Sequence, residues 1–123
     1  MPLLPAGRAL PLACLLAMTL TACVAGGADT SAGRASALAT TVSRASACKA
    51  GTPQRATLDR FLAAETARGA APEQIAAARS AYVSVSEAET VNQAARPQAC
   101  TAEERAALKE RMARIKAGQF DQL

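Results

Sequence analysis

The sequence predicts an all-α fold, a small up-down bundle of three to four helices clamped by a disulfide. Apolar residues recur at helical spacing in four stretches, and Gly and Pro separate these stretches. Alanine supplies most of the apolar residues, whereas Leu, Ile, Val and Phe are scarce. An alanine-lined core lets helices approach closely but buries little area per residue, so we expect a covalent staple between the helices.

The first predicted helix runs from 36 to 48, because Leu38, Val42 and Ala45 fall at positions i, i+4 and i+7. Several Ser and Thr residues in this stretch weaken its helix propensity. The segment before it, 24–34, is rich in Gly, Ala, Ser and Thr and shows no apolar periodicity. We therefore predict a flexible tether there.

The second predicted helix spans 53–68. Thr52 can act as its N-cap, Pro53 suits the first helical position, and Gly69 suits the C-terminal stop. Its apolar face consists of Leu58, Phe61 and Leu62.

The third predicted helix opens at Pro72 and reaches Ala95, because Pro97 forbids continuation. Its apolar stripe consists of Ile75, Ala78, Tyr82 and Val85. The stretch 83–86 also alternates as a strand does, but a lone strand would leave its backbone groups unpaired. A helix is therefore the favoured interpretation.

The fourth predicted helix spans 102–117 and has the clearest signals. Thr101 and Glu104 form a capping-box pattern, and Gly118 suits the end. One side carries Leu108, Met112 and Ile115.

Cys48 and Cys100 are predicted to form the disulfide. In an up-down bundle the second and fourth helices run the same way, so their N-terminal ends lie together. Cys48 precedes one of these helices and Cys100 the other. Closing a loop of about fifty residues would stabilise the fold by roughly 4 kcal/mol.

The N-terminus has the pattern of an export signal. One cation, Arg8, precedes an apolar run at 9–20, which is too short to span a bilayer. The run ends in Leu20-Thr21-Ala22-Cys23, which resembles the bacterial lipobox. Cys14 is a competing site, but the apolar run before it is too short. The resemblance implies that 1–22 is a signal peptide and that Cys23 carries the lipid.

This resemblance implies a permanent membrane anchor, because two or more acyl chains hold a protein stably on a bilayer. Val24 follows the cysteine, and enteric lipoproteins without Asp at that position are sorted to the outer membrane. We therefore expect a cell-envelope address on the periplasmic face of the outer membrane. The expected organisation is a signal peptide at 1–22, a tether at 23–34 and a small helical domain at 35–123.

The sequence does not favour an enzyme. It has no histidine, which removes the commonest base and metal ligand, so we expect no cofactor and no metal site. Ser46 to Lys49 matches S-x-x-K, but the companion motifs of penicillin-recognising enzymes are absent. The acid pairs Glu103 with Glu104 and Glu87 with Glu89 are interpreted as solvated structural acids.

The charge pattern leaves the fourth helix open to two interpretations. Its basic residues are Arg105, Lys109, Arg111, Arg114 and Lys116. They form either a solvated face, since Glu110 lies among them, or a contact for lipid headgroups or an acidic partner. With only Tyr82, Phe61 and Phe120 as aromatic residues, the chain offers no stacking platform for nucleic acid.

The pattern from Cys48 to Gly118 resembles the pilotin lipoproteins of type II secretion systems: a cysteine, a helix, a turn with Gly69, a helix with Tyr82 midway, then Cys100 and a last short helix. In that family the bundle holds a helical segment of the secretin. The resemblance implies that this chain is a binding or assembly module for the helix of an envelope protein. The alternative is a structural envelope lipoprotein with no specific partner.

A groove for such a helix would combine small Ala residues with a few large apolar anchors. The candidate partner-binding residues are Leu58, Phe61, Leu62, Ile75 and Tyr82. If they bind a partner, some of them should be partly exposed in the free protein.

Overall fold

This computed structural model describes residues 27–123, and they form four α-helices joined by short connections. They are α1 (Ser31–Ala47), α2 (Thr57–Ala67), α3 (Pro72–Ala95) and α4 (Ala102–Lys116). The predicted all-α class is confirmed, and 83–86 lies within α3. The predicted signal peptide, the lipidation site Cys23 and the first residues of the tether lie outside the described residues.

Helix α1 begins at Ser31, so the predicted start at 36 and the predicted end of the tether at 34 are wrong. The Thr30 hydroxyl caps the helix by accepting a hydrogen bond from the Gly33 amide at 3.0 Å. Arg34, inside this added turn, pairs with Glu65 of α2. The sequence pattern does not reveal this turn, because a cap and an ion pair stabilise it rather than apolar residues at helical spacing.

Helix α2 begins at Thr57 rather than at Pro53. Thr52 and Pro53 are exposed in the connection 48–56, and the Thr57 hydroxyl accepts a hydrogen bond from the Gln54 amide at 3.0 Å. In the same connection Ala50 is buried. The residue at the N-cap position of α2 is Ala56 rather than Thr52, so the capping signal at Thr52 has no effect.

The boundaries predicted for α3 are confirmed, and α4 ends one residue before its predicted end. Gly69 and Gly118 end α2 and α4 with positive φ angles of 95° and 80°. After α1 the corresponding residue is Lys49, which follows the cap residue Cys48 and has φ 53°. In all three turns the next amide bonds back to a helix carbonyl, as Ala50 does to Ala45 at 2.8 Å.

The topology is up-down, as predicted. The end of α2 lies against the start of α1, where Ser31 bonds to Glu65, and the start of α4 lies against the end of α1, where Arg44 bonds to Glu104. Helices α2 and α4 thus run opposite to α1. The most extensive contact in the bundle is between α1 and α3.

The core lies where all four helices meet and continues into the C-terminal segment. Its largest apolar members are Leu38, Val42, Phe61, Leu62, Leu108, Met112, Ile115 and Phe120. At one end Cys48 and Cys100 are joined, with their Cα atoms 5.7 Å apart. The predicted pairing is confirmed, and Cys48 reaches it as the residue that ends α1.

Candidate functional site

The structure divides the five candidate partner-binding residues into two groups. Phe61 and Leu62 belong to the core, with 0% and 4% of their surface exposed. Phe61 packs edge-on against Phe120, with ring centroids 5.5 Å apart. These two side chains were expected to contact a partner, but in this conformation both are buried in the core. Phe120 of the C-terminal segment covers Phe61.

Leu58, Ile75 and Tyr82 are half-buried and pack against the core. We call these three residues of α2 and α3 the hairpin patch. Ile75 and Tyr82 are seven residues apart, so they share one face of α3 about two turns apart. Burial raises the pKa of the Tyr82 phenol, which is consistent with a ring held partly out of water.

Glu65 is a buried carboxylate that the sequence analysis did not single out. None of its surface is exposed. It accepts a hydrogen bond from Ser31 Oγ at 2.7 Å and one from Arg34 Nε at 3.0 Å, and Arg34 Nη2 makes a further short contact. Arg68 Nε lies 4.0 Å away. The cluster fixes the start of α1 to the end of α2.

These contacts keep Glu65 charged. The hydrogen bonds from Arg34 lower the pKa of the Glu65 carboxyl, burial opposes them, and the Ser31 hydroxyl adds to the lowering. The sequence does contain a signal for this residue: Glu65 continues the apolar stripe of Leu58 and Phe61 at helical spacing. Its partner Arg34 could not be identified that way, because it lies 31 residues away.

A second ion pair joins α1 to α4 near the disulfide. Arg44 donates from Nε and Nη2 to the two oxygens of Glu104, at 2.6 and 2.9 Å. The same hydrogen bonds lower the pKa of Glu104. The Thr101 hydroxyl accepts from the Glu104 amide at 3.0 Å, as the capping-box prediction requires. Glu104 therefore links α4 to α1, in addition to placing a negative charge in the first turn of α4.

One cluster near this ion pair has the composition of a metal site. The sulfurs of Cys48 and Cys100 and a carboxylate oxygen of Glu104 lie within 4.8 Å of one another. The two sulfurs are bonded to each other, and Glu104 pairs with Arg44. In this state the cluster supplies no thiolate ligand.

The other sequence candidates lie on the surface. Ser46 and Lys49 of the S-x-x-K match are both exposed, in the last turn of α1 and just after it. Among the basic residues of α4, Arg105 donates to the Cys48 carbonyl at 3.1 Å. The remaining four residues of that set, Lys109, Arg111, Arg114 and Lys116, are exposed or partly exposed.

A polar cleft of about 640 Å³ opens where α3 ends. Two guanidinium groups, one carboxylate and three carboxamides line it: Arg44, Arg96, Glu89, Asn92, Gln93 and Gln98. The sequence analysis missed this cleft, because its residues have no motif and meet only when the chain turns after α3.

Comparisons of the chain with protein-family models, with curated proteins and with solved structures gave no match.

Proposed function

We propose that this protein is a lipid-anchored lipoprotein of the cell envelope that binds a helix of a partner protein at the hairpin patch. The observation that carries the proposal is the half-buried state of Leu58, Ile75 and Tyr82. Side chains that the core holds in place, and that still present apolar surface, can act as preorganised anchors for a partner.

The spacing of the patch suits an amphipathic helix. Ile75 and Tyr82 are separated by about 10 Å along α3. The apolar residues of a partner helix repeat at i, i+3, i+4 and i+7, which gives the same distance over two turns. A pilotin-like role, in which the partner is a helical segment of an outer-membrane secretin, is the specific form of this proposal.

The anchor in this proposal is the lipid on Cys23. Because α1 begins at Ser31, seven residues separate Cys23 from the bundle, and they span at most about 25 Å when extended. The domain would stay close to the membrane, with the Glu65 end of the bundle nearest to it. None of the described helices is long and apolar enough to cross a bilayer itself.

The test of partner binding compares Tyr82→Ala with Val91→Ala. Val91 is also an apolar residue of α3, but 66% of its surface is exposed and it lies away from the hairpin patch. The lipidated protein and both variants are used to capture envelope proteins, and each variant is melted by circular dichroism. We expect Tyr82→Ala to lose a captured protein that Val91→Ala retains, while most helicity remains.

A purely structural role of the hairpin patch leads to the opposite result. If Tyr82→Ala lowers the melting temperature and captures the same proteins as the unmodified chain, the patch is a structural element. The chain would then be an envelope lipoprotein with no specific partner at this surface.

The anchor is tested by Cys23→Ser. We expect this variant to be released from membranes or to accumulate as an unprocessed precursor, because the serine hydroxyl does not accept the diacylglyceryl group. Membrane fractionation and the mass of the mature N-terminus measure this result. Normal processing and membrane association of the variant would contradict lipidation at Cys23.

A further inference from the structure

Three elements of the bundle bring exposed cations to one face. The connection 48–56, α2 and α4 each contribute at least one of them, and all are exposed. We call this surface the basic face, and it consists of Lys49, Arg60, Arg105, Lys109 and Lys116.

On α4 the cations of the basic face lie on one side of the helix. Arg105, Lys109 and Lys116 fall at i, i+4 and i+11, so they lie within about 40° of one another around the axis and extend about 16 Å along it. Arg111 and Arg114 lie about 120° or more away from them. Arg111 faces a pocket that it shares with Glu104, and Arg114 one that it shares with Asp121. The fold thus separates the basic residues of α4 into two sets.

Hydrogen bonds join the other two elements to this side of α4. Arg105 Nε donates to the Cys48 carbonyl at 3.1 Å, which places Lys49 beside the first turns of α4. Arg60 Nη1 donates to the Lys116 carbonyl at 2.9 Å, so the cation of α2 lies at the end of α4. The positive charge therefore extends along the length of α4.

No carboxylate neutralises the basic face. Within residues 27–123 none of its five cations forms a salt bridge. Asp59, the residue before Arg60, pairs instead with Arg79 of α3. Glu110 shares its side of α4 with Arg114, four residues later. The face therefore keeps its full charge for a ligand from outside.

Lysine and arginine have different places in this structure. Every salt bridge among the described residues is made by an arginine. All three lysines of the sequence, Lys49, Lys109 and Lys116, belong to the basic face. Lysine carries a compact charge on a flexible stem, whereas arginine suits fixed, bidentate pairing. The face therefore suits many loosely arranged anionic groups better than one fixed anion.

The basic face also lacks an apolar anchor. The exposed large apolar residues of the described chain, Val83 and Val91, are both on α3. Protein interfaces concentrate their binding energy in a few buried aromatic and apolar anchors, whereas an anionic lipid surface attracts cations without them. Charge without an anchor therefore favours a membrane surface over an acidic protein.

We propose that the basic face docks this domain on the surface of an anionic phospholipid membrane, with the lysines among the phosphate headgroups. Neither the hairpin patch nor the lipid proposed for Cys23 is needed for this contact. Docking is compatible with that lipid, because α4 runs opposite to α1 and Lys116 lies toward the end of the bundle where α1 begins.

The three lysines allow this contact to be measured by chemical footprinting. The full chain is mixed with vesicles of phosphatidylcholine alone, or with vesicles in which about one third of the lipid is phosphatidylglycerol. An amine-acetylating reagent is added, and the modified residues are quantified by mass spectrometry. On the anionic vesicles we expect acetylation of all three lysines to slow by about threefold or more, and on the neutral vesicles we expect no change.

Two internal checks accompany the footprint. Glu73 and Glu87 of α3 are exposed and lie outside the basic face, so carbodiimide labelling of both should be equal on the two kinds of vesicle. Raising the salt concentration from about 0.1 M to about 1 M shortens the screening length from about 10 Å to about 3 Å and should abolish the protection of the lysines.

Two double variants of α4 test which side of the helix is used. Lys109→Gln with Lys116→Gln removes two charges from the basic face, and Arg111→Gln with Arg114→Gln removes two from the other side. The readout is the ratio of the partition coefficients for anionic and neutral vesicles, in which any contribution of the N-terminus cancels. The lysine variant should lower this ratio by about 30-fold, at about fivefold per cation, and the arginine variant by less than about threefold.

Three results would overturn the proposal. The first is equal acetylation of the lysines on both kinds of vesicle, and the second is an equal effect of the two double variants. The third is protection by soluble polyglutamate as strong as that by anionic vesicles at the same concentration of negative charge, because the face would then bind an acidic polypeptide. None of these results bears on partner binding at the hairpin patch or on lipidation of Cys23.

Discussion

At the scale of single residues, the feature with the largest expected effect is the buried carboxylate of Glu65. Its pKa is lower in the folded chain than the usual 4.5, chiefly because Arg34 donates hydrogen bonds to it. At acidic pH the folded state therefore binds fewer protons at this group than the unfolded state. Its stabilising contribution is fully present above pH 4.5 and is lost as the pH falls through the lowered pKa.

We predict that Glu65→Gln lowers the free energy of unfolding by about 2 kcal/mol at neutral pH, because Ser31 and Arg34 lose a charged acceptor. Urea unfolding at several pH values measures both this loss and its pH dependence. The slope below pH 4.5 should decrease in the variant without disappearing, because the pKa of Glu104 is also lowered. Glu103→Gln, at an exposed position, is the control. Equal effects of the two substitutions would contradict the role of Glu65.

A second residue-scale prediction concerns Lys49, which follows the C-terminal cap residue of α1, Cys48, and has a positive φ of 53°. Residues with a Cβ are disfavoured in this conformation, whereas glycine adopts it freely. Lys49→Gly should therefore stabilise the domain by about 1 kcal/mol, measured by thermal or urea unfolding. Lys49→Ala removes the charge but keeps the Cβ, and it should change stability by less than about 0.5 kcal/mol. A destabilised glycine variant would contradict this account.

At the scale of elements, the sequence predicts the helices whose ends have local signals. Pro72 and Pro97 bound α3, and Gly118 ends α4, so both helices are close to their predicted spans. The starts of α1 and α2 depend on tertiary contacts, which no local pattern reveals. The sequence places Arg34 in a tether, because its partner Glu65 is far away along the chain. It makes Thr52 a cap, although the chain becomes helical only at Thr57.

This difference between the helix starts can be measured by removing two threonine hydroxyls. Thr101→Ala should destabilise the domain by about 1 kcal/mol, because its hydroxyl accepts the hydrogen bond from the Glu104 amide. Thr52→Ala has the same chemistry at an exposed position that caps no helix, so we expect a change of less than about 0.5 kcal/mol. Urea unfolding of both variants provides the comparison. A large loss at Thr52 would mean that α2 starts earlier in solution.

At the scale of the whole molecule, the candidate sites differ in how far the sequence reveals them. The hairpin patch was predicted in part, because apolar side chains at helical spacing are visible in the sequence. Which of them reach the surface depends on Phe120, which covers Phe61 from a segment without a pattern of its own. The polar cleft needs α1, α3 and the connection after α3 together, and these are brought together only by the fold.

Because the apolar core is small, we expect the stability of the whole fold to depend on its disulfide. The bond between Cys48 and Cys100 closes a loop with a sequence separation of 52 residues. In the chain-entropy model this stabilises the folded state by about 4 kcal/mol. Much of the helix packing involves alanine, so the apolar area that could compensate for its loss is limited.

We therefore predict that reduction of the disulfide lowers the melting temperature by about 15 to 30 °C, at 4 to 8 °C per kcal/mol for a domain of this size. Circular dichroism melts with and without reductant measure the shift. The double variant Cys48→Ala, Cys100→Ala is the control: it should melt near the reduced protein and should not respond to reductant. If the reduced protein melts within a few degrees of the oxidised one, the bundle holds itself together by packing, and the bond serves mainly to fix the connection beside the polar cleft.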